Sequence, residues 1–149
     1  MKLAHNVKLS VFCYEGEDEE KVKSKLLSLF PFDLGKEKLS LDSTVAEGFN
    51  ERKITILEIL LSKEKHTSKF LASLKERLAK EQRSLLIMQA DTRLDSEFNF
   101  FIRLDKAKLL EEDAFWITDC GNCFHIKITL ASFPKTRDAA LKVVQKWLS

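Results

Sequence analysis

The stretch FNFFIRLDK, residues 98–106, decides how the fold is read. Phe98, Phe100, Ile102 and Leu104 alternate, so an extended chain gathers them on one face and turns Asn99, Phe101 and Arg103 to the other. The first set is a complete apolar face for a core. The second puts an aromatic ring and a guanidinium on the back of the same strand, where a sheet packed on one side meets solvent or a partner.

Two more segments repeat this pattern. VKLSVFCY (7–14) turns Val7, Leu9, Val11 and Cys13 inward and Lys8, Ser10, Phe12 and Tyr14 outward. CFHIKITLAS (123–132) keeps His125 and Lys127 on its outward side. KEKLSLDSTVAEG (36–48) is predicted as a strand through Leu39, Leu41 and Val45, turning at Gly48-Phe49-Asn50 into KITILEILLS (53–62). That run is apolar on both faces, which places it centrally in the sheet. AFWIT (114–118) reads as a short strand forming a hairpin with 123–132 around DCGN.

Helices fill the intervals. Glu17 to Glu20 sit where the positive end of a helix dipole favours carboxylates, and Val22, Leu26, Leu29 and Phe30 line one face before Pro31 stops the run. Residues 66–88 are predicted helical through Phe70, Leu71, Leu74 and Leu78, with a bend after Lys80. KAKLLEED is helical or irregular. Phe133-Pro134 ends the last strand, and the chain closes as a helix buried through Ala140, Val144, Trp147 and Leu148. The order β-α-β-β-α-β-(β)-β-α, with short turns between strands, predicts an α+β fold. Its mostly antiparallel sheet carries helices on one face, in two layers, as a single domain over residues 1–149.

Charge alone points to no ligand. The 25 basic and 23 acidic residues nearly cancel, so nucleic-acid binding would need a local patch. The closing helix is the most basic element, with Lys135, Arg137, Lys142 and Lys146 against Asp138. No run approaches the roughly 18 apolar residues of a membrane span. The opening MKLAHNVKLS lacks a signal-peptide core, so no membrane partner and a cytoplasmic location are expected. Three cysteines make an odd number, unlike a secreted disulfide framework.

Enzyme chemistry finds little footing. Gly16, Gly35, Gly48 and Gly121 are isolated, whereas phosphate-cradling loops need clustered glycines. Nothing assembles a nucleophile, a base and an orienting group. Cys120-Gly-Asn-Cys123-Phe-His125 has thiol spacing that suits zinc, yet a structural site needs a fourth ligand from afar, such as Cys13 or His5. The same spacing serves redox motifs, but those sit at a helix start after a strand, whereas Gly121-Asn122 reads as a hairpin turn; the remaining reading is an ordinary turn with small buried thiols. No metal and no cofactor are expected.

The outward face of the three alternating strands is more informative. It collects Lys8, Phe12 and Tyr14, then Phe101 and Arg103, then His125 and Lys127. Rings that stack on bases, interleaved with cations that neutralise phosphates, are what single-stranded RNA binding requires. The same side chains also suit packing under a loop, or a dimer contact with a polar rim.

Several segments together resemble an archaeal RNA-binding family described as a predicted exosome subunit. They are the early strand followed by EDEEKV (17–22), then EGFNERKITILE (47–58), FIRLDK (101–106) and FPKTRDAAL (133–141). The resemblance covers nearly the full chain in the same order. It implies a fold similar to a 5S-rRNA-binding ribosomal protein, and RNA binding rather than catalysis. Its Arg-Leu-Asp-Lys segment falls on Arg103, Leu104, Asp105 and Lys106. Its aromatic-Pro-basic junction falls on Phe133, Pro134 and Lys135. The turn before the central strand departs from the family, which often has histidines and an extra glycine where this chain has Gly48-Phe49-Asn50.

The expectation is a non-catalytic RNA-binding module, accessory to RNA processing or degradation by the exosome. Its partners would be RNA and RNA-processing proteins, and its state a monomer or weak homodimer. The outward residues already named are the expected contacts, joined by Lys106, Lys135 and Arg137 just past the strand ends. The competing expectation is a protein–protein adaptor or homodimer that uses the aromatic sheet face as its interface.

Overall fold

A computed structural model describes residues 2–48, 50 and 52–149. Phe49, part of the expected turn before the central strand, lies outside the described residues. The strands are β1 (Ala4–Tyr14), β2 (Asp42–Glu47), β3 (Lys53–Leu61), β4 (Asn99–Asp105) and β5 (Cys123–Leu130). The helices are α1 (Glu19–Ser28), α2 (Glu64–Arg77), α3 (Lys80–Met88), α4 (Ala90–Arg93), α5 (Lys106–Glu112) and α6 (Arg137–Leu148). The strands form one sheet in the order β2-β3-β1-β5-β4, and every pairing is antiparallel. This is the expected α+β architecture.

Alternation sets the sheet's two faces. Val7, Leu9 and Val11 of β1, Leu57, Ile59 and Leu61 of β3, Phe100, Ile102 and Leu104 of β4, and Phe124, Ile126 and Ile128 of β5 are all buried. The helices close over them: Phe70 of α2 meets Phe30 at 5.5 Å between ring centroids, and Trp147 of α6 donates from Nε1 to the Leu71 carbonyl at 3.0 Å. Caps fix where the helices begin. Asp18 accepts from the Lys21 N–H, Asp105 from Lys108 and Thr136 from Ala139, each satisfying an amide the first turn leaves unpaired.

Four segments differ from the sequence reading. The strand expected over 36–48 begins only at Asp42, because Lys38 turns left-handed at φ 57° and the Leu39 N–H bonds back to the Leu34 carbonyl. Leu39 and Leu41 pack against the core instead, while Val45 stays exposed. β3 is internal, but the centre belongs to β1. The second apolar side of β3 faces the open side of the sheet, where Leu60 is 54% exposed.

The helix expected over 66–88 breaks at Leu78 and Ala79, both extended, which swings α3 against α6. Finally, residues 114–118 form no hairpin with β5. That strand already pairs with β1 on one side and β4 on the other, leaving no free edge. Trp116 to Thr118 run along the outer edge of β4 instead, with Asp105 N–H donating to Trp116 O at 2.8 Å and Thr118 N–H to Arg103 O at 2.9 Å.

Candidate nucleic-acid interface

Register turns the outward side chains into rows across the uncovered face. One row runs Leu60, Lys8, Lys127, Phe101; the next runs Asp42, Glu58, Ser10, His125, Arg103. A third brings Thr44, Ile56 and Phe12 together, and a fourth Ala46, Ile54 and Tyr14. Side chains directly opposite each other stand about 4.5–5.5 Å apart at Cβ, so each row is a contiguous strip. Phe12 is 44% and Tyr14 38% exposed, and Phe101 is half-buried. None of the three rings belongs to the core.

The rings and cations hold one another in place. Phe101 lies against His125 at 5.5 Å between centroids, tilted by 37°. Arg103 donates from Nη1 to the Asp119 carbonyl at 2.9 Å. Burial first, and then the positive charges of Arg103, Lys127 and Lys8, push the His125 pKa below its ordinary value. Lys8 pairs with Glu58 at 2.8 Å across the strands, so part of its charge is answered within the protein.

Two clefts flank Arg103 and His125. One is lined by Ser10, Phe12, Gly121 and Cys123, the other by Thr92, Arg93, Phe101 and Asp119. Arg93 was not anticipated. Its guanidinium bonds Gln89 Oε1 at 2.7 and 3.1 Å and reaches Asp119 at 3.1 Å. Burial above all lowers its pKa. It comes from the short helix α4, and its approach to the sheet is tertiary, so no spacing in the sequence signals it.

Three expected contacts sit differently from the others. Lys106 was expected to lie free past the end of β4, but it is 2% exposed. Its Nζ bonds the Phe12 carbonyl and the Glu17 carboxylate at 3.0 Å, 4.9 Å from the centre of the Tyr14 ring. The correction is physical: the lysine is consumed in holding β1 to the start of α5. Arg137 bonds Asp91 Oδ1 at 3.0 Å, the Leu94 carbonyl at 3.2 Å and the Asp91 carbonyl, tying α6 to α4. Lys135 is exposed beyond the sheet's end, beside a cleft that also gathers Lys2, His5 and Lys146 around Phe133, itself 97% exposed.

The cysteines do not converge. Cys123 lies on the open side of the sheet, while Cys13 points into the helix layer and Cys120 is exposed. Burial first raises the Cys123 pKa. Among the described residues no group of three or more His, Cys, Asp or Glu is placed to hold a metal ion. No described helix is long and apolar enough to cross a membrane.

A family described as RNA binding matches residues 6–130, from within β1 to the end of β5. The chain belongs to that RNA-binding family. The RNA-binding protein PAB1135 of Pyrococcus abyssi is 29% identical over 145 residues, covering 97% of this chain and 94% of that one. Among solved structures, protein AF2318 from Archaeglobus fulgidus superposes with a TM-score of 0.84 at 26% identity, covering 98% of this chain and 99% of that one. Mth689, a DUF54 protein from Methanothermobacter thermautotrophicus, gives 0.78 at 27% identity, with 99% of both chains covered. The matched span contains β2 to β5 whole and β1 from Asn6 onward, and so every outward residue of the rows described above.

Proposed function

We propose that residues 1–149 act as one non-catalytic RNA-binding module whose contact surface is the uncovered sheet face. One observation carries this reading: Phe12, Tyr14 and Phe101 lie on the helix-free side, in rows with Lys8, Lys127, His125 and Arg103. Such a surface stacks bases and neutralises the backbone together. Family membership supports it, as does the similarity to the RNA-binding protein PAB1135 of Pyrococcus abyssi. The motif resemblance adds a finer proposal, that the module serves RNA processing or degradation beside the exosome in the cytoplasm, on a fold like that of a 5S-rRNA-binding ribosomal protein.

The test is a salt series with a short RNA and its matched DNA. Lys127, Arg103 and Lys135, with Lys8 partly answered by Glu58, give about three to four phosphate contacts. The logarithm of affinity should then fall against the logarithm of salt with a slope of about −2 to −3. Affinity that ignores salt would refute the reading. The second reading, a protein or self-association interface, has its own observation in the apolar strip of Ile54, Ile56 and Leu60 beside Phe12. Mass measurement by light scattering over a concentration series tests it, a persistent monomer counting against self-association.

A further inference from the structure

We propose that the cleft between Phe12, Arg103 and His125 seats one unpaired nucleobase, which makes the protein selective for single-stranded over duplex RNA. This rests on the RNA-binding reading and narrows it. The cleft holds about 230 Å³ and is lined by Ser10 and Phe12 of β1, Cys123 and His125 of β5, Arg103 of β4 and Gly121. Clefts that enclose an entire small-molecule ligand run to roughly 300–1,000 Å³. This one suits a single planar ring system with its sugar and phosphate left outside. A base inside an A-form helix is stacked on both faces and cannot enter, whereas a splayed base can.

The walls offer a base both stacking faces and hydrogen-bonding edges. The half-exposed Phe12 ring supplies a stacking face. Arg103 is anchored by the Asp119 carbonyl at 2.9 Å, so its planar guanidinium is held at the mouth and is suited to stacking. His125 resists protonation because it is partly buried among Arg103, Lys127 and Lys8. A neutral imidazole carries one donor and one acceptor, which reads a base edge. The Ser10 hydroxyl is both donor and acceptor as well. One row along the strands, about 7 Å away at two residues' rise, Lys8 and Lys127 face each other across β1 and β5. They are placed for the phosphate that follows a seated base.

The test compares a single-stranded hexaribonucleotide, a blunt duplex of the same length and an abasic ribose-phosphate hexamer, by fluorescence anisotropy at one salt concentration. Each is titrated with the unaltered protein and with Ser10→Leu, whose fold is checked by circular dichroism. We expect the single strand to bind at least about tenfold more tightly than the duplex. The abasic chain should be weaker by at least roughly 5–150-fold, the range for one stacked base, because Tyr14 and Phe101 lose their bases too. Ser10→Leu should weaken the base-bearing strand over that range and leave abasic binding unchanged. Equal affinity of the unaltered protein for single strand and duplex, or for base-bearing and abasic chains, overturns the base seat while RNA binding stands. A folded Ser10→Leu variant that loses both chains equally, or neither, overturns it too. Failure to bind any of the three defeats the RNA-binding reading itself.

Discussion

Replacing Lys106 by Met separates a structural lysine from an RNA-contacting one. Methionine keeps most of the aliphatic stem and removes only the ammonium. The Phe12 carbonyl then loses its Nζ donor, and leaving this partly buried acceptor unpaired costs up to about 1–3 kcal/mol. The Glu17 carboxylate loses its cation at 3.0 Å, but its side chain is 30% exposed. Water can answer part of its charge, so this contribution falls well below the roughly 3–5 kcal/mol of a fully buried broken pair. Together the loss should be about 2–4 kcal/mol, or roughly 4–16 °C in melting temperature for a chain of this size. Urea unfolding read by circular dichroism measures it through the midpoint at constant m-value. Adding Glu17→Gln in the Lys106→Met background should recover part of the loss, because the stranded charge is gone while an oxygen remains for the Tyr14 N–H. The salt slope of RNA binding should not change. A loss below about 1 kcal/mol, together with a slope reduced by about one, would refute this reasoning and return Lys106 to the RNA.

Phe100→Ala should cost about 3–5 kcal/mol of stability because the ring is fully buried. Phe101→Ala, one residue on, should instead weaken RNA binding by about 1–3 kcal/mol with little change in salt slope; the reverse pairing in urea melts and titrations would show the register to be wrong. Lys135→Ala should lower the slope by about one and leave the melting temperature unchanged. Arg137→Ala should cost about 1 kcal/mol of stability by releasing Asp91 from α6, measured by the same melts. The depressed pKa of His125 makes the unfolded chain bind a proton more readily than the folded one. The histidine's contribution is therefore full above its ordinary value near 6.5 and is lost as pH falls below it. Stability measured from pH 7.5 down to 5 should decline, and His125→Gln should flatten that decline.

The faces of β1, β4 and β5 were legible because alternation reports which side of a strand is apolar; burial follows that side except at the strand ends, where outward Asn99 and Cys123 are also buried. The α1 start was legible too, since capping and dipole preferences act within one turn. What was not legible depends on approach between distant segments. Lys106 meets Glu17 from across the chain, and nothing beside either residue announces it. The doubly apolar β3 is internal as expected, but an apolar run does not say which internal strand stands in the middle, and that place belongs to β1. The segment 114–118 has strand chemistry, but a strand also needs a vacant edge, and β5 had none. For the candidate site, the aromatic and cationic rows were readable, while the clefts beside Arg103 were not. They depend on where Asp119, Gly121 and Arg93 come to rest.

The central position of β1 has a consequence for how the chain is made. The earliest strand to be synthesised pairs with β3 on one side and with β5, the latest, on the other. At ribosomal rates of about 5–20 residues per second, the interval between completing β3 and completing β5 is roughly 3 to 14 s. Throughout it, one flank of β1 has unsatisfied amides and carbonyls beside Val7, Leu9 and Val11, the profile of an edge that invites pairing with a neighbouring nascent chain. Closure of that flank also joins residues far apart in sequence, which slows it further. Yield in the cell should therefore depend on how well that interval is shielded, and variants that loosen β5 should aggregate during synthesis before they register as unstable in a purified sample.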